Sequence, residues 1–183
     1  MTVASAELIE KRIYDSMSPE ERLSSRIVPL TQGRFAIVDA SDYEEVSKYK
    51  WIYNSGYALR AVISNKKRTI IHMHRLIHGS TDGLEVDHVN GCGVDNRRIN
   101  LRTATRQQNG SNRAKCRNST SIYKGVFWDK KAKKWVATIV KNKKQNYLGY
   151  FNSEIEAAKS YNKAAIELHG EFARLNDIHV KGA

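Results

Sequence analysis

An aspartate and a histidine stand side by side in the short strand-like run Val86-Asp87-His88-Val89. Neighbouring side chains on a strand point to opposite faces, so the two cannot both serve one ordinary core. At least one is left for another use, as half of a surface ion pair or of a catalytic dyad, and the residue types alone leave both open. The loop that follows, Asn90-Gly91-Cys92-Gly93-Val94-Asp95-Asn96, is built from turn formers. Beyond Leu101, Thr105 and Gln108 have the spacing of a capping box, which predicts a short helix presenting Asn109 and Asn112. Asn112 suits a helix cap or a phosphate contact. Arg97, Arg98, Arg102, Arg106 and Arg113 punctuate the same stretch, as phosphate clamps or as solubilising charge. His74 and His78 share a helical face near His72, yet no third ligand follows at a recognisable zinc spacing, which favours structural or phosphate-contacting roles. His169 and His179 carry no signal.

The elements that must position these residues follow from local pattern. Residues 33–38 suit a strand, and a capping box of Ser41 with Glu44 opens a helix over 42–50. Strands are expected at 57–63 and 69–73, joined by the turn Asn65-Lys66-Lys67. Residues 1–26 form a short helix or a mobile arm. The small polar stretch 116–121 has no periodicity and reads as a linker. Beyond it lie three strand-like runs, 123–128, 135–141 and 147–151, separated by lysine-rich turns at 129–134 and 142–145. Ser153 and Glu156 suggest a further capping box. Ala157, Tyr161, Ala164, Ala165 and Leu168 then trace one apolar stripe down a helix that Gly170 is placed to end.

The 183 residues allow one ordinary domain or two small ones. No apolar run approaches the roughly 20 residues of a membrane span, and the N-terminus lacks the pattern of a secretory signal, so an intracellular protein without a membrane partner is expected. Two cysteines, Cys92 and Cys116, cannot build a disulfide framework or a four-cysteine zinc site. The net charge is +12, and residues 116–183 carry +7 of it. Nine basic residues face one acid, Asp129, within 117–144. Such a block attracts polyanions because each neutralised phosphate releases counterions.

Strand, polar loop, strand and helix, with Asp-His on the first and Asn on the last, resembles the HNH nuclease motif of phage and intron-encoded homing endonucleases. Asn100 lies twelve residues after His88 and Asn109 twenty-one, where that family carries its middle Asn and its final metal ligand. Asn109 in the last place makes this the H-N-N form. His74-Arg75-Leu76, Ile27 to Gly33, Val38-Asp39 and Lys50-Trp51 extend the likeness over residues 27–113. The resemblance implies a ββα-metal finger in which Asp87 and Asn109 bind one hard divalent cation, Mg²⁺ or Mn²⁺. It implies His88 as general base and Asn100 as the brace that orients loop and base. Where the family loop usually reads Asn-Gly-Asn-Gly, this chain has Asn90-Gly91-Cys92-Gly93, a departure that touches no implied ligand. Without Cys-x-x-Cys, no structural zinc is expected.

Residues 121–176 resemble the APETALA2/ethylene-response-factor DNA-binding domain. The likeness is carried by Tyr123-Lys124-Gly125-Val126, Lys134-Trp135, Tyr147-Leu148-Gly149-Tyr150-Phe151, Glu156-Ala157-Ala158 and His169-Gly170-Glu171. It implies that the sheet enters the major groove while the helix backs it. Ala137 and Ile139 would face the helix, and Thr138 and Val140 the DNA. Lys124, Phe127, Gln145 and Tyr147 occupy other DNA-facing positions, with Lys130, Lys131, Lys133, Lys141, Lys143 and Lys144 on phosphates. Phe127, Val140 and Gln145 replace arginines that read guanine in plant members, so the plant target does not carry over. Trp128 and Trp135 are read as core.

The expectation is an α+β protein: an N-terminal arm (1–26), a nuclease domain (27–115), a linker (116–121), a three-stranded antiparallel sheet packed on one helix (122–176) and a tail (177–183). Its function would be Mg²⁺-dependent cleavage or nicking of double-stranded DNA, in the cytoplasm of a bacterial host if phage-encoded, with a monomer the favoured state. The alternative is a catalytically inert DNA-binding regulator.

Overall fold

The structure, a computed structural model, describes residues 3–79, 81–115 and 119–178. Residues 116–118 of the expected linker, residues 1–2 of the arm, and 179–183 of the tail, His179 included, lie outside them. The fold is α+β, and the chain divides between Ala104 and Thr105 into two units.

The first unit opens with two helices, α1 (Val3–Ser16) and α2 (Pro19–Ser24). Ser18 and Glu21 cap α2 reciprocally with Pro19 in the first helical position, so this short helix starts on local chemistry alone. Glu10 of α1 is 1% exposed and meets Arg34 through two bonds of 2.9 and 2.7 Å. Arg34 also lies 3.8 Å from the Tyr53 ring, so both buried charges are compensated.

Strands β1 (Ser25–Pro29) and β2 (Phe35–Asp39) form an antiparallel hairpin. Helix α3 spans Ala40–Ser47, two residues ahead of the expected 42–50. The capping box expected of Ser41 does not form, because Asp39 is the N-cap and its carboxylate instead accepts from Arg98 N at 2.7 Å. Strands β3 (Ile52–Asn54), β4 (Tyr57–Ser64) and β5 (Lys67–His72) make a meander. The β4–β5 turn is Asn65-Lys66, both with φ positive (49° and 60°), as a two-residue hairpin turn requires. Lys67, expected in the turn, is the first residue of β5. Helix α4 (Met73–His78) follows directly, and β6 (Glu85–His88) pairs with β7 (Leu101–Ala104). Val28, Val38, Val46, Trp51, Met73, Ile77, Val86 and Leu101 belong to one shared core. Trp51 anchors it, donating from Nε1 to Val46 O at 2.8 Å.

The second unit contains helix α5 (Arg106–Ser111), then an antiparallel sheet of β8 (Val126–Asp129), β9 (Lys134–Lys141) and β10 (Lys144–Phe151), then helix α6 (Glu154–His169). The expected meander with one helix is present. Strand β8 starts at Val126 rather than 123, since Gly125 turns the chain at φ 74°. Asp129 caps the first turn by accepting from Lys131 N and Ala132 N, and Asn142-Lys143 make a second two-residue turn with φ of 53° and 61°. Ser153 caps α6 through Ile155 N, while Glu154 accepts from Ser121 Oγ at 2.6 Å and from Ile122 N. The predicted stripe is buried at Ala157, Tyr161, Ala164 and Ala165, against Val126, Ala137 and Ile139. Gly170 ends the helix at φ 54°. Trp128 and Trp135 pack edge to face at 5.2 Å, but Trp128 keeps 37% exposure, so only Trp135 joins the core periphery. Among the described residues no helix is long and apolar enough to cross a membrane.

Gly125 is the tightest point of this unit. A Cβ there would run into the Tyr161 ring and come within 2.5 Å of Thr138 O, at a φ that side chains disfavour. Gly125→Ala is expected to cost on the order of 3 kcal/mol, read as a lowered urea midpoint. Parent-like stability would show that this packing is not the constraint described.

Candidate functional site

The β6–β7 hairpin sets the geometry. Its register places Asp87 opposite Arg102 and His88 opposite Leu101. The connecting loop is fixed from within. Asn100 Oδ1 accepts from Asn90 N at 2.9 Å, and its Nδ2 donates to Asp95 O at 2.7 Å. The Asp95 carboxylate, fully buried, takes Arg97 Nε and Nη2 at 2.8 and 2.9 Å and Asn90 Nδ2 at 2.9 Å. The loop docks on β2 by two backbone bonds, Ile37 N to Val94 O (2.9 Å) and Asn96 N to Ile37 O (2.8 Å).

This docking delivers Asn96, 0% exposed, to His88. The Asn96 Oδ1 lies 3.0 Å from His88 Nε2, and Asn96 Nδ2 donates to the Met73 sulfur at 3.3 Å. An amide oxygen only accepts, so Nε2 carries the proton and the neutral ring keeps its lone pair on Nδ1. The His74 ring stands edge-on at 4.8 Å, and Tyr57 packs over His72, His74 and His88 at 5.9, 5.7 and 5.8 Å. Gly93 makes room for this arrangement, because a Cβ would lie 2.6 Å from the Tyr57 ring. Burial pushes the His88 imidazole below its ordinary value, opposed by the Asn96 hydrogen bond and by Asp87 and Asp95. The ring is therefore neutral at neutral pH, the state a base needs.

Asp87 is 5% exposed and faces Arg102, whose Nε and Nη2 reach Oδ2 at 3.0 and 2.9 Å. A buried carboxylate already matched to a cation has the chemistry to take a hard divalent ion. Among the described residues no three His, Cys, Asp or Glu gather as a metal site, so such an ion would draw further oxygens from an amide, water or substrate. Asn109 lies on α5, which Thr105 and Gln108 cap as expected. Asn112 is that helix's C-cap. Helix α5 belongs to the second unit, where Gln107 donates to Asn142 Oδ1 at 2.7 Å and Ser111 Oγ lies 3.2 Å from His169 Nδ1. The first unit thus brings Asp87, His88 and Asn100 together by itself, and Asn109 is carried by the second.

Three of the expected phosphate clamps each meet a carboxylate of the first unit. Arg97 holds Asp95, Arg98 holds Asp42 at 2.8 and 2.7 Å, and Arg102 holds Asp87. Arg106 and Arg113 are exposed. Lys124 points its amine at Ser111 O, and burial brings it down to about 8. Phe127, Lys143, Lys144 and Tyr147 are exposed, while Lys141 and Thr138 are half-buried. Sequence reasoning missed Asp95 and Asn96, which read as turn formers. Their only signal is an acidic-amide pair midway between His88 and Asn100.

The imidazole cluster makes the fold acid-sensitive. Burial, then neighbouring His88, holds His74 down to about 3, against about 6.5 in an unfolded chain. Between those values the unfolded chain binds a proton that the folded one excludes, so stability falls as pH drops below about 6.5. From pH 7 to 5 the loss from His74 is about 2 kcal/mol, measured by urea titration of the chain, and His74→Phe should flatten the slope. Stability independent of pH over that range would contradict the buried neutral imidazole.

An AP2 domain family model matches residues 121–171. A protein of Acanthamoeba polyphaga mimivirus described as "Uncharacterized HNH endonuclease L560" is 32% identical over 149 residues, 80% of this chain and 77% of that protein. "Protein 3.8" of Escherichia phage T7 is 32% identical over 94 residues, half of this chain and 75% of that protein. No solved structure matches significantly. With Asp87, His88 and Asn100 gathered on the β6–β7 hairpin and a relative of this extent, the chain belongs to the HNH endonuclease family and carries an AP2 domain after its nuclease motif.

Proposed function

We propose that the protein is a divalent-cation-dependent DNA endonuclease of the homing type, which nicks or cleaves duplex DNA and is targeted by its AP2 domain. The observation that carries this reading is the His88–Asn96 pair beside Asp87: a buried, neutral imidazole with its lone pair fixed on Nδ1, next to a carboxylate that suits a hard cation. Asp87 and Asn109 would hold Mg²⁺ or Mn²⁺. When bound, the cation supplies charge that stabilises the scissile phosphate and the leaving 3′-oxygen. His88 Nδ1 accepts the proton of the attacking water, and Asn96 keeps the ring from rotating out of line. Asn100 acts one step removed by holding the loop that carries Asn96. Attack at phosphorus with departure of the 3′-oxygen leaves a 5′-phosphate and a 3′-hydroxyl. The exposed lysines at the sheet turns fit contacts to the DNA backbone.

Supercoiled plasmid and phage or host DNA incubated with Mg²⁺ should be nicked or linearised by the protein. His88→Ala should lower turnover by about 10²–10⁴-fold, the usual contribution of a positioned base. Asn109→Ala should need more Mg²⁺ for half-maximal rate. Asn96→Ala should lower kcat by roughly tenfold or more with little change in KM, because it orients the base without touching DNA. No cleavage above the His88→Ala background on any DNA, with duplex binding intact, would leave an inert DNA-binding protein instead.

A further inference from the structure

The outer face of the C-terminal sheet has a composition of its own. Alternation along β9 sends Ala137 and Ile139 to α6 and places Val136, Thr138 and Val140 on the opposite side. The register sets Phe127 and Tyr150 beside Val136, Tyr147 beside Thr138, and Gln145 beside Val140. A bulge between Tyr147 and Gly149 lets Leu148 join the helix side while Tyr147 and Tyr150 both stand outward, ring centroids 5.5 Å apart. The face is open: Phe127, Val140, Tyr147 and Tyr150 are 39, 55, 57 and 51% exposed. Tyr150 spends its hydroxyl on Asp129 Oδ2, 3.1 Å away, and so offers a ring rather than a donor.

The centre of this face is uncharged, whereas Lys130, Lys131 and Lys133 crowd one turn and Lys143 and Lys144 the other. No arginine occurs between residues 117 and 174. Guanine is most often read in the major groove by the arginine or lysine fork, adenine by the amide of Asn or Gln, and the thymine 5-methyl group by apolar contact. A lysine rim around an apolar centre complements phosphates flanking methyl-bearing base edges.

We infer that the outer sheet face of the C-terminal domain selects A·T-rich duplex DNA, with Phe127 and Val140 against thymine methyl groups and Gln145 on adenine. This deepens the endonuclease reading and rests on it for DNA as the ligand. The lysines supply sequence-independent affinity, and the apolar centre supplies the choice among sequences. Their contributions separate experimentally, because phosphate contacts depend on salt and methyl contacts do not.

The test uses the full chain in EDTA, which keeps binding apart from cleavage. Selection from a random duplex library should enrich an A·T-rich core. On the selected duplex, replacing deoxythymidine by deoxyuridine removes only the major-groove methyl groups and should weaken binding about fourfold per buried methyl. Phe127→Ala and Val140→Ala, both at exposed positions, should lose that sensitivity while keeping the parent's salt dependence. Enrichment of a G·C-rich core, equal affinity for thymine and uracil duplexes, or preference for single strands would each overturn the inference. Salt-dependent duplex binding blind to uracil would refute base selection alone. Absence of any duplex binding at low salt would remove the DNA-binding reading together with it.

Discussion

The first unit depends on one buried ion pair more than on any catalytic group. Asp95 is sealed from solvent, and an isolated carboxylate there would cost several kcal/mol. It is held because Arg97 binds both of its oxygens, Asn90 adds a third donor, and the backbone on either side is stitched to Ile37. A charge so enclosed tolerates one loop conformation. That rigidity is what allows the next residue, Asn96, to meet His88 at a fixed atom. Asn100 belongs to the same lock, since its amide donates to the Asp95 carbonyl. The site is therefore organised from the loop outward.

The legible part of this site was the part with regular spacing. Asp87, His88 and Asn100 lie on a hairpin whose strands and turn formers have local signatures, and the Thr105–Gln108 capping box forms because both partners lie within one helical turn. The same box failed at Ser41, because Arg98, 59 positions from Asp39, places its N–H on the Asp39 carboxylate and the helix begins earlier. Asp95 and Asn96 were invisible for a related reason. Asp and Asn in a loop are what turn chemistry asks for anyway, so their burial leaves no mark on composition. The meander of the second unit was legible because alternation and the helix stripe agree. The change of phase in β10 at the bulge between Tyr147 and Gly149 was not, since it goes with the packing of Leu148 against α6.

Charge divides along similar lines. The sequence offered a run of arginines near the nuclease motif as phosphate clamps, but Arg97, Arg98 and Arg102 each face a carboxylate in the fold. Arginine suits that duty, because its planar fork meets both oxygens of a carboxylate. The exposed lysines at the sheet turns carry no comparable commitment, and they account for much of the +7 of residues 116–183. Formal charge thus separates into three arginines matched to carboxylates, Arg97, Arg98 and Arg102, and the lysines of the sheet turns, which stand exposed with Arg106 and Arg113.

The pairing of Arg102 with Asp87 also bears on His88. An anion one residue from an imidazole raises its affinity for a proton, and the Asp87 charge does act on His88 in that direction. Burial acts the other way and dominates, helped by the neighbouring imidazole of His72. His88 in turn favours the neutral form of His74, whose ring edge lies against it. Arg102 placed on Asp87 offsets one of the two anions, Asp87 and Asp95, that favour protonation. The neutral state of His88 is therefore a property of the surrounding packing.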